Sequence, residues 1–320
     1  MLPFLDLVHS ELERVNSRII DSLHSDEPLV ENIGHYIVDA GGKRLRPILV
    51  LLASKALSYN DDKHIDLAAV IEFIHTATLL HDDVVDISSM RRGRPTANAK
   101  WGNAPSVLVG DFLYSRAFQM MVAIGDMRIM HTLSGTTNII AEGEVQQLAN
   151  AKNPDIKEQE YLTVIYKKTG ALFEAACECG SILGEASPKQ REALKLYGYH
   201  LGLAFQLIDD LLDYEGDAEL LGKNVGDDLA EGKPTLPLIH ALENSSEDDC
   251  DIIRAAIREG NAEQLDTIVK IVRKAGSIDY TRQLAIEHSE LAIQTLNALP
   301  ESPYLEALTE LSRFAVARAH

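Results

Sequence analysis

One five-residue carboxylate pattern occurs twice in this chain, as Asp82-Asp83-Val84-Val85-Asp86 and as Asp209-Asp210-Leu211-Leu212-Asp213, each within apolar spacing of helical period. At about 100° per residue, Asp82 and Asp86 fall on one helix face a turn apart, and so do Asp209 and Asp213. Like charges at that spacing repel by a few tenths of a kcal/mol when exposed, and by more when buried. The duplication therefore predicts a cation held between two helices. Oxygen-only ligands point to Mg²⁺, which keeps waters, takes one or two carboxylates and completes its octahedron with substrate phosphates.

Basic residues decide what such an ion would hold, and they cluster around the same motifs. Arg91-Arg92-Gly93 follows the first pattern, while Lys223 and Lys233 lie in a glycine-rich stretch after the second. A further patch, Gly41-Gly42-Lys43-Arg44-Leu45-Arg46-Pro47, stands at a helix entrance, where unpaired amides also favour anions. Two positive patches imply two anions. The patch is not a nucleotide-binding P-loop, because the GxxxxGK[ST] spacing and its preceding strand are missing. Taken singly, the basic turn reads as a solvated helix start, Lys167-Lys168-Thr169 as an exposed helix face, and His75 as a structural histidine. Their co-occurrence with two acidic clusters that need phosphate oxygens gives them a common purpose.

The elements that must position these residues are helical. Nearly every segment has apolar residues at i, i+3 and i+4, with no series of alternating strands bounded by turn pairs, so the fold class is all-α. Helices are predicted near 4–24, 28–39, 45–58, 63–87, 103–123, 127–150, 158–184, 189–214, 234–243, 247–258, 261–274, 276–298 and 302–318. Pro47, Pro188 and Pro234 sit at helix starts, where a missing amide donor costs little. Tyr214 to Pro234 interleaves Gly216, Gly222, Gly226 and Gly232 with charges, which predicts a mobile loop able to close over a ligand. The acidic run Ser245 to Asp251 reads as a turn and helix start.

The chain has 320 residues, 46% hydrophobic and 25% charged, with no composition break, and is read as one domain spanning 1–320. Its net charge of −19 excludes nucleic acid as a partner, since phosphate backbones would be repelled. Cys177, Cys179 and Cys250 form neither an even disulfide framework nor a CxxC pair, so they read as buried inert thiols in a reducing cytoplasm. The N-terminal stretch has early acids and no basic n-region, unlike a signal peptide. No uncharged apolar run approaches the roughly 20 residues of a transmembrane segment.

From Gly41 to Pro234 the chain resembles the trans (all-E) polyprenyl diphosphate synthases. GGKRLRP, HTATLLHDDVVDISSMRRG, KKT, FQLIDDLLD and GKNVGDDLAEGKPT occur in that family's order and spacing. The resemblance implies a large helical bundle around a central cavity, the isoprenoid synthase type. It implies that Asp82, Asp86 and Asp209, with Asp213, bind two or three Mg²⁺ ions on an allylic diphosphate, while Asp83 and Asp210 support them. It places Arg91, Lys168, Thr169, Gln206, Lys223 and Lys233 on the allylic diphosphate, with Lys168 and Lys223 also catalytic, and Lys43, Arg46, His75 and Arg92 on isopentenyl diphosphate. Ala77 and Thr78 match positions where short-chain members carry bulky aromatics, which implies an open channel. Phe118, Met120 and Met121 on the next helix are candidates for its floor.

The implied reaction condenses an allylic diphosphate, farnesyl diphosphate by expectation, with successive isopentenyl diphosphates. On overall likeness the expected product is all-trans-octaprenyl diphosphate, for a quinone side chain, rather than the heptaprenyl, nonaprenyl, decaprenyl or geranylgeranyl product. A homodimer is expected on the same ground. A His-Asp phosphohydrolase would leave the second aspartate pattern and the lysines unexplained. A terpene cyclase would need only one diphosphate site, and a non-catalytic subunit would not need both aspartate motifs.

Overall fold

Helical apolar spacing becomes helix almost throughout the computed structural model, which describes residues 3–215 and 226–317. These cluster into two compact units, one of 3–137, 172–198 and 295–311, the other of 138–171, 199–215, 226–294 and 312–317.

The first unit begins with α1 (Pro3–Asp6), α2 (His9–Ser22), α3 (Pro28–Asp39), α4 (Leu45–Lys55) and α5 (Lys63–Val85). A two-stranded hairpin follows, β1 (Met90–Arg91) paired with β2 (Arg94–Pro95), then α6 (Ala97–Trp101) and α7 (Asn103–Ile124). Helix α5 is the core of this unit. Leu67, Val70, Ile71, Phe73, Ile74 and Leu80 are all wholly buried, so the helix is apolar on every side, as a core helix is, and not along one stripe. It packs on α2, α4 and most extensively α7. That last contact needs a glycine: a Cβ on Gly110 of α7 would fall 2.4 Å from His81 Nε2. The imidazole occupies that space and lies 3.2 Å from Asp111 Oδ1 and 3.3 Å from the Val107 carbonyl.

Helix α8 (Met127–Asn150) is followed by α9 (Glu158–Ile165), a π-helical turn at Tyr166–Gly170, α10 (Ala171–Leu183) and α11 (Pro188–Glu215). After the undescribed residues come α12 (Asp227–Ala230), α13 (Leu236–Asn244), α14 (Glu247–Glu259), α15 (Leu265–Lys274), α16 (Ser277–Thr295), a 3₁₀ turn at Leu296–Ala298, and α17 (Pro303–Ala317). The second unit is built on two apolar clusters. One gathers Leu211, Leu229, Leu238, Ile253, Ile257 and Ile268, the other Ile156, Leu203, Leu207, Ile208 and Leu236.

Helix starts follow local chemistry. Ser246 Oγ accepts the Asp249 amide at 3.3 Å and Glu247, Asp248 and Asp249 fill the first turn of α14, so the acidic run is a cap and a complement to the helix dipole. Pro188 opens α11, Pro47 is the third residue of α4, and Pro234 stands two residues before α13.

Three features depart from the predicted elements. The first helix breaks after Asp6, the predicted helix 158–184 contains the π turn, and α6, α12 and the hairpin are additional. The hairpin turn is Arg92-Gly93 with φ of 52° and 72°. Positive φ at both central residues is the type I′ geometry that Asn-Gly or Asp-Gly ordinarily announces, so an arginine there gives no sequence signal.

Cys177, Cys179 and Cys250 are buried and free. Among the described residues one helix, α7, is long and apolar enough to cross a membrane by length and composition. It carries Asp111 and Arg116, and Arg116 Nη1 donates to the Ser22 carbonyl at 2.6 Å.

Candidate active site

The first aspartate pattern closes α5. The Asp86 amide donates to the Asp82 carbonyl at 2.8 Å, so the two residues stand one turn apart as the spacing predicts, and both are half-buried. Asp83 turns elsewhere. It is wholly buried, its Oδ1 accepts Nε and Nη2 of Arg91 at 2.8 Å each, and its carbonyl accepts Asn98 Nδ2 at 3.0 Å. Burial raises the Asp83 pKa from its ordinary value, against the opposing pull of Arg91. Asp83 thus ties β1 to the end of α5, which fixes the helix turn bearing Asp82 and Asp86.

The hairpin sends its two arginines to different places. Arg91 lies on Asp83, whereas Arg92, in the turn, brings its guanidinium against the backbone of Gly42, where a Cβ would fall 2.8 Å from Nη1. Any side chain at Gly42 would displace that arginine. Arg46 Nη1 lies 3.2 Å from His75 Nε2, and Arg46 Cζ stands 4.5 Å from the centre of the Phe173 ring. A guanidinium only donates, so Nε2 accepts and the neutral ring carries its proton on Nδ1. Burial, then the positive charges of Arg46 and Arg92, hold the His75 pKa well below the usual histidine value. The imidazole is neutral at pH 7. Arg46, His75 and Arg92 are therefore gathered in the first unit, with Lys43 exposed in the turn that leads into α4 and Arg46. Guanidinium groups around a neutral ring suit a multiply charged oxyanion.

In the second unit, α11 carries Asp209, Asp210 and Asp213. Asp209 is half-buried, while Asp213 is wholly buried and its Oδ2 accepts the Asp228 amide at 3.2 Å. Asp210 anchors a chain of hydrogen bonds. Tyr161 Oη donates to Asp210 Oδ2 at 2.6 Å, Gln206 Nε2 donates to Oδ1 at 2.7 Å, and Thr169 Oγ1 donates to Gln206 Oε1 at 2.9 Å. Burial first, and the charge of Asp228 next, push the Asp210 pKa up to about 8.

Lys168 and Thr169 lie on the π turn, a form of helix frequent at functional sites. The turn comes close to α8 at Gly143, where a Cβ would lie 2.7 Å from the Lys167 Cβ and 2.9 Å from the Lys168 amide. That approach lets Lys168 Nζ reach Glu144 Oε2 and Gln147 Oε1, both at 2.8 Å. Lys233 pairs with Glu231. Lys223, and with it residues 216–225 of the predicted closing loop, lies outside the described residues.

Of the chain-length candidates, Ala77 and Met121 are buried, and Thr78 is half-buried with its hydroxyl on the His75 carbonyl at 2.8 Å. Phe118 and Met120 are half-buried. Tyr161 was not singled out by sequence reasoning. A tyrosine on an amphipathic helix reads as core, and only its phenolic contact to Asp210 marks it out.

The donor set fits magnesium. Among the described residues no three His, Cys, Asp or Glu groups converge into a self-sufficient metal cage. Each motif by itself offers oxygen donors alone, half-buried Asp82 and Asp86 in the first unit and half-buried Asp209 in the second, and Mg²⁺ takes one or two such carboxylates when substrate phosphates complete its shell.

The polyprenyl synthetase family model matches residues 27–274. Octaprenyl diphosphate synthase of Escherichia coli is 52% identical over 314 residues, covering 98% of this chain and 97% of that protein. A decaprenyl diphosphate synthase from Rhodobacter capsulatus superposes with a TM-score of 0.94 at 43% identity, over 99% of this chain and 98% of its own. A polyprenyl synthase from Caulobacter crescentus, complexed with calcium and isoprenyl diphosphate, superposes with a TM-score of 0.96 at 42% identity, over 99% and 97%.

Proposed function

This chain belongs to the polyprenyl synthetase family, prenyltransferases that lengthen an allylic diphosphate with isopentenyl diphosphate, and on that premise we propose that it makes all-trans-octaprenyl diphosphate from a farnesyl diphosphate primer. One observation carries the reaction class. Two aspartate motifs accompany two separate sets of anion-binding groups, Arg46, His75 and Arg92 gathered in one unit and Thr169 and Gln206 joined in the other. A hydrolase would need only one such set.

Asp82, Asp86 and Asp209, with Asp213, would hold two or three Mg²⁺ ions, which when bound neutralise charge on a departing diphosphate. Arg91, Lys168, Thr169, Gln206, Lys223 and Lys233 grip the allylic diphosphate, and Asp83 and Asp210 position the first and fourth of these groups. Lys43, Arg46, His75 and Arg92 hold isopentenyl diphosphate. The allylic C–O bond breaks with its electron pair leaving on diphosphate, and the positive charges of Lys168 and Lys223 stabilise it. The isopentenyl double bond then attacks the allylic carbon, which requires both substrates to be held in register. Loss of a proton to the released diphosphate gives the lengthened allylic product. No side-chain nucleophile is needed. The wholly buried faces of Leu67, Val70, Ile71 and Ile74 on α5 are suited to keeping water from the allylic cation.

The assay is incubation with farnesyl diphosphate, labelled isopentenyl diphosphate and Mg²⁺, with mass analysis of the dephosphorylated products. An eight-unit all-trans chain is expected. Phosphate release without chain growth would point to a hydrolase, and an inert purified chain to a non-catalytic subunit.

The family match runs through both compact units, so we take residues 1–320 as one catalytic domain, to unfold in a single calorimetric transition. We propose a homodimer on family likeness. Light scattering should give twice the 35.3 kDa chain mass. The three free thiols suit a cytoplasmic location. The proposed use is a quinone side chain, and deletion of the gene should remove the long-chain quinone.

A further inference from the structure

Arg44 lies between Lys43 and Arg46 in sequence, and its charge bears on His75 and Arg92, yet its hydrogen bonds lead elsewhere. It opens α4 in the left-handed region, with φ 49° and ψ 33°, after Gly41 and Gly42 with φ of 80° and 146°. That backbone is disfavoured for any residue with a Cβ and persists only where the surroundings hold it. The surroundings are specific. Nη1 is bonded to Glu72 Oε1 on α5, and Nη2 donates to the Val38 carbonyl near the end of α3 at 3.1 Å.

Glu72 is 4% exposed, one helical turn before His75. It is a buried carboxylate among arginines, and while burial lowers the Arg92 pKa, the negative charge of Glu72 opposes that shift. Three helices therefore converge on a single guanidinium: α3 through a carbonyl, α5 through a carboxylate, and α4 through the backbone that Arg44 itself begins. The turn so fixed carries Lys43, leads into Arg46 on α4, and presents Gly42 to the Arg92 guanidinium.

We infer that Arg44 and Glu72 are positioning residues for the isopentenyl diphosphate pocket, their buried ion pair locking the 41–44 turn and the start of α4 so that Lys43, Arg46 and Arg92 converge on one diphosphate. This rests on the reading of those residues as that pocket. Neither side chain needs to touch substrate. Breaking only one partner would strand a buried charge and destabilise the fold, whereas replacing both with apolar residues of similar size leaves none stranded.

The test compares wild type with Glu72→Gln, which keeps an acceptor for Arg44 without the charge, and with the double variant Arg44→Leu, Glu72→Met. Isopentenyl diphosphate binding is measured by calorimetry, KM for each substrate by steady-state assay, and folding by thermal midpoint. The double variant should retain its midpoint, bind isopentenyl diphosphate about tenfold more weakly with a matching rise in KM, and keep its KM for the allylic diphosphate within about twofold. Glu72→Gln should fall between the two. Wild-type affinity in either folded variant, or an equal loss for both substrates, overturns the positioning role. If wild type binds isopentenyl diphosphate without extending any chain, the proposed reaction fails, and the binding comparison still decides the role of the pair.

Discussion

Asp82→Ala should cut prenyl transfer by about 10²–10³-fold or more, the range seen when one preorganised electrostatic group is removed from an active site, while helical content and thermal midpoint hold or rise slightly. Both halves of that expectation come from the end of α5. Asp82 and Asp86 are half-buried one turn apart, with the Asp86 amide on the Asp82 carbonyl at 2.8 Å, and like charges so placed repel. Removing one relieves that repulsion, and an unchanged midpoint would show that the loss of activity does not come from unfolding. The contrast is Asp83→Ala. It removes the buried carboxylate to which the Arg91 guanidinium makes two bonds of 2.8 Å, and because Arg91 is partly exposed the stability should fall by less than the roughly 3–5 kcal/mol of a fully buried pair. Circular dichroism melts, product assays and a Mg²⁺ titration of thermal midpoint in the presence of pyrophosphate separate the cases. Near-normal turnover in Asp82→Ala, or an undiminished Mg²⁺ shift, would remove Asp82 from the metal site.

The second large effect concerns product length. Ala77→Tyr should shorten the product by several isoprene units, each about the ~5 Å of one helical turn, with initial condensation retained. Ala77 is wholly buried on α5. If its methyl borders an apolar channel, the phenol ring fills space meant for product and folding is little affected. Should it instead face close-packed core, overpacking would cost roughly 1–3 kcal/mol and leave chain length unaltered. Mass analysis of the products, read beside a thermal melt, tells the two apart. A destabilised variant still making the eight-unit chain would take Ala77 out of the length-setting machinery.

Much of this protein could be read before any coordinates. The long helices lie close to their predicted ranges, α5 at Lys63–Val85 against 63–87 and α8 at Met127–Asn150 against 127–150. Side-chain periodicity reports helix directly, and over five or six turns a misplaced end changes little. The motifs were legible for a related reason: the chemical type of Asp82, Lys168 or His75 is a property of the residue, and its spacing along a helix fixes which neighbours share its face.

Sequence alone thus determined the all-α class, the acidic and basic residues able to handle two diphosphates, and the family. Only the tertiary structure decided which of those residues bind their neighbours. Asp83 turns to Arg91, Asp210 to Tyr161, and Arg44 to Glu72, partners 8, 49 and 28 positions away. The π turn bearing Lys168 and Thr169 and the left-handed Arg44 and Arg92 belong to the same class. Each is a locally unfavourable or ambiguous state that packing selects, through a buried charge that must find its counter-charge or a glycine such as Gly42, Gly110 or Gly143 that lets another segment come near. Those choices depend on long-range contacts, and a periodic pattern along the chain does not encode them.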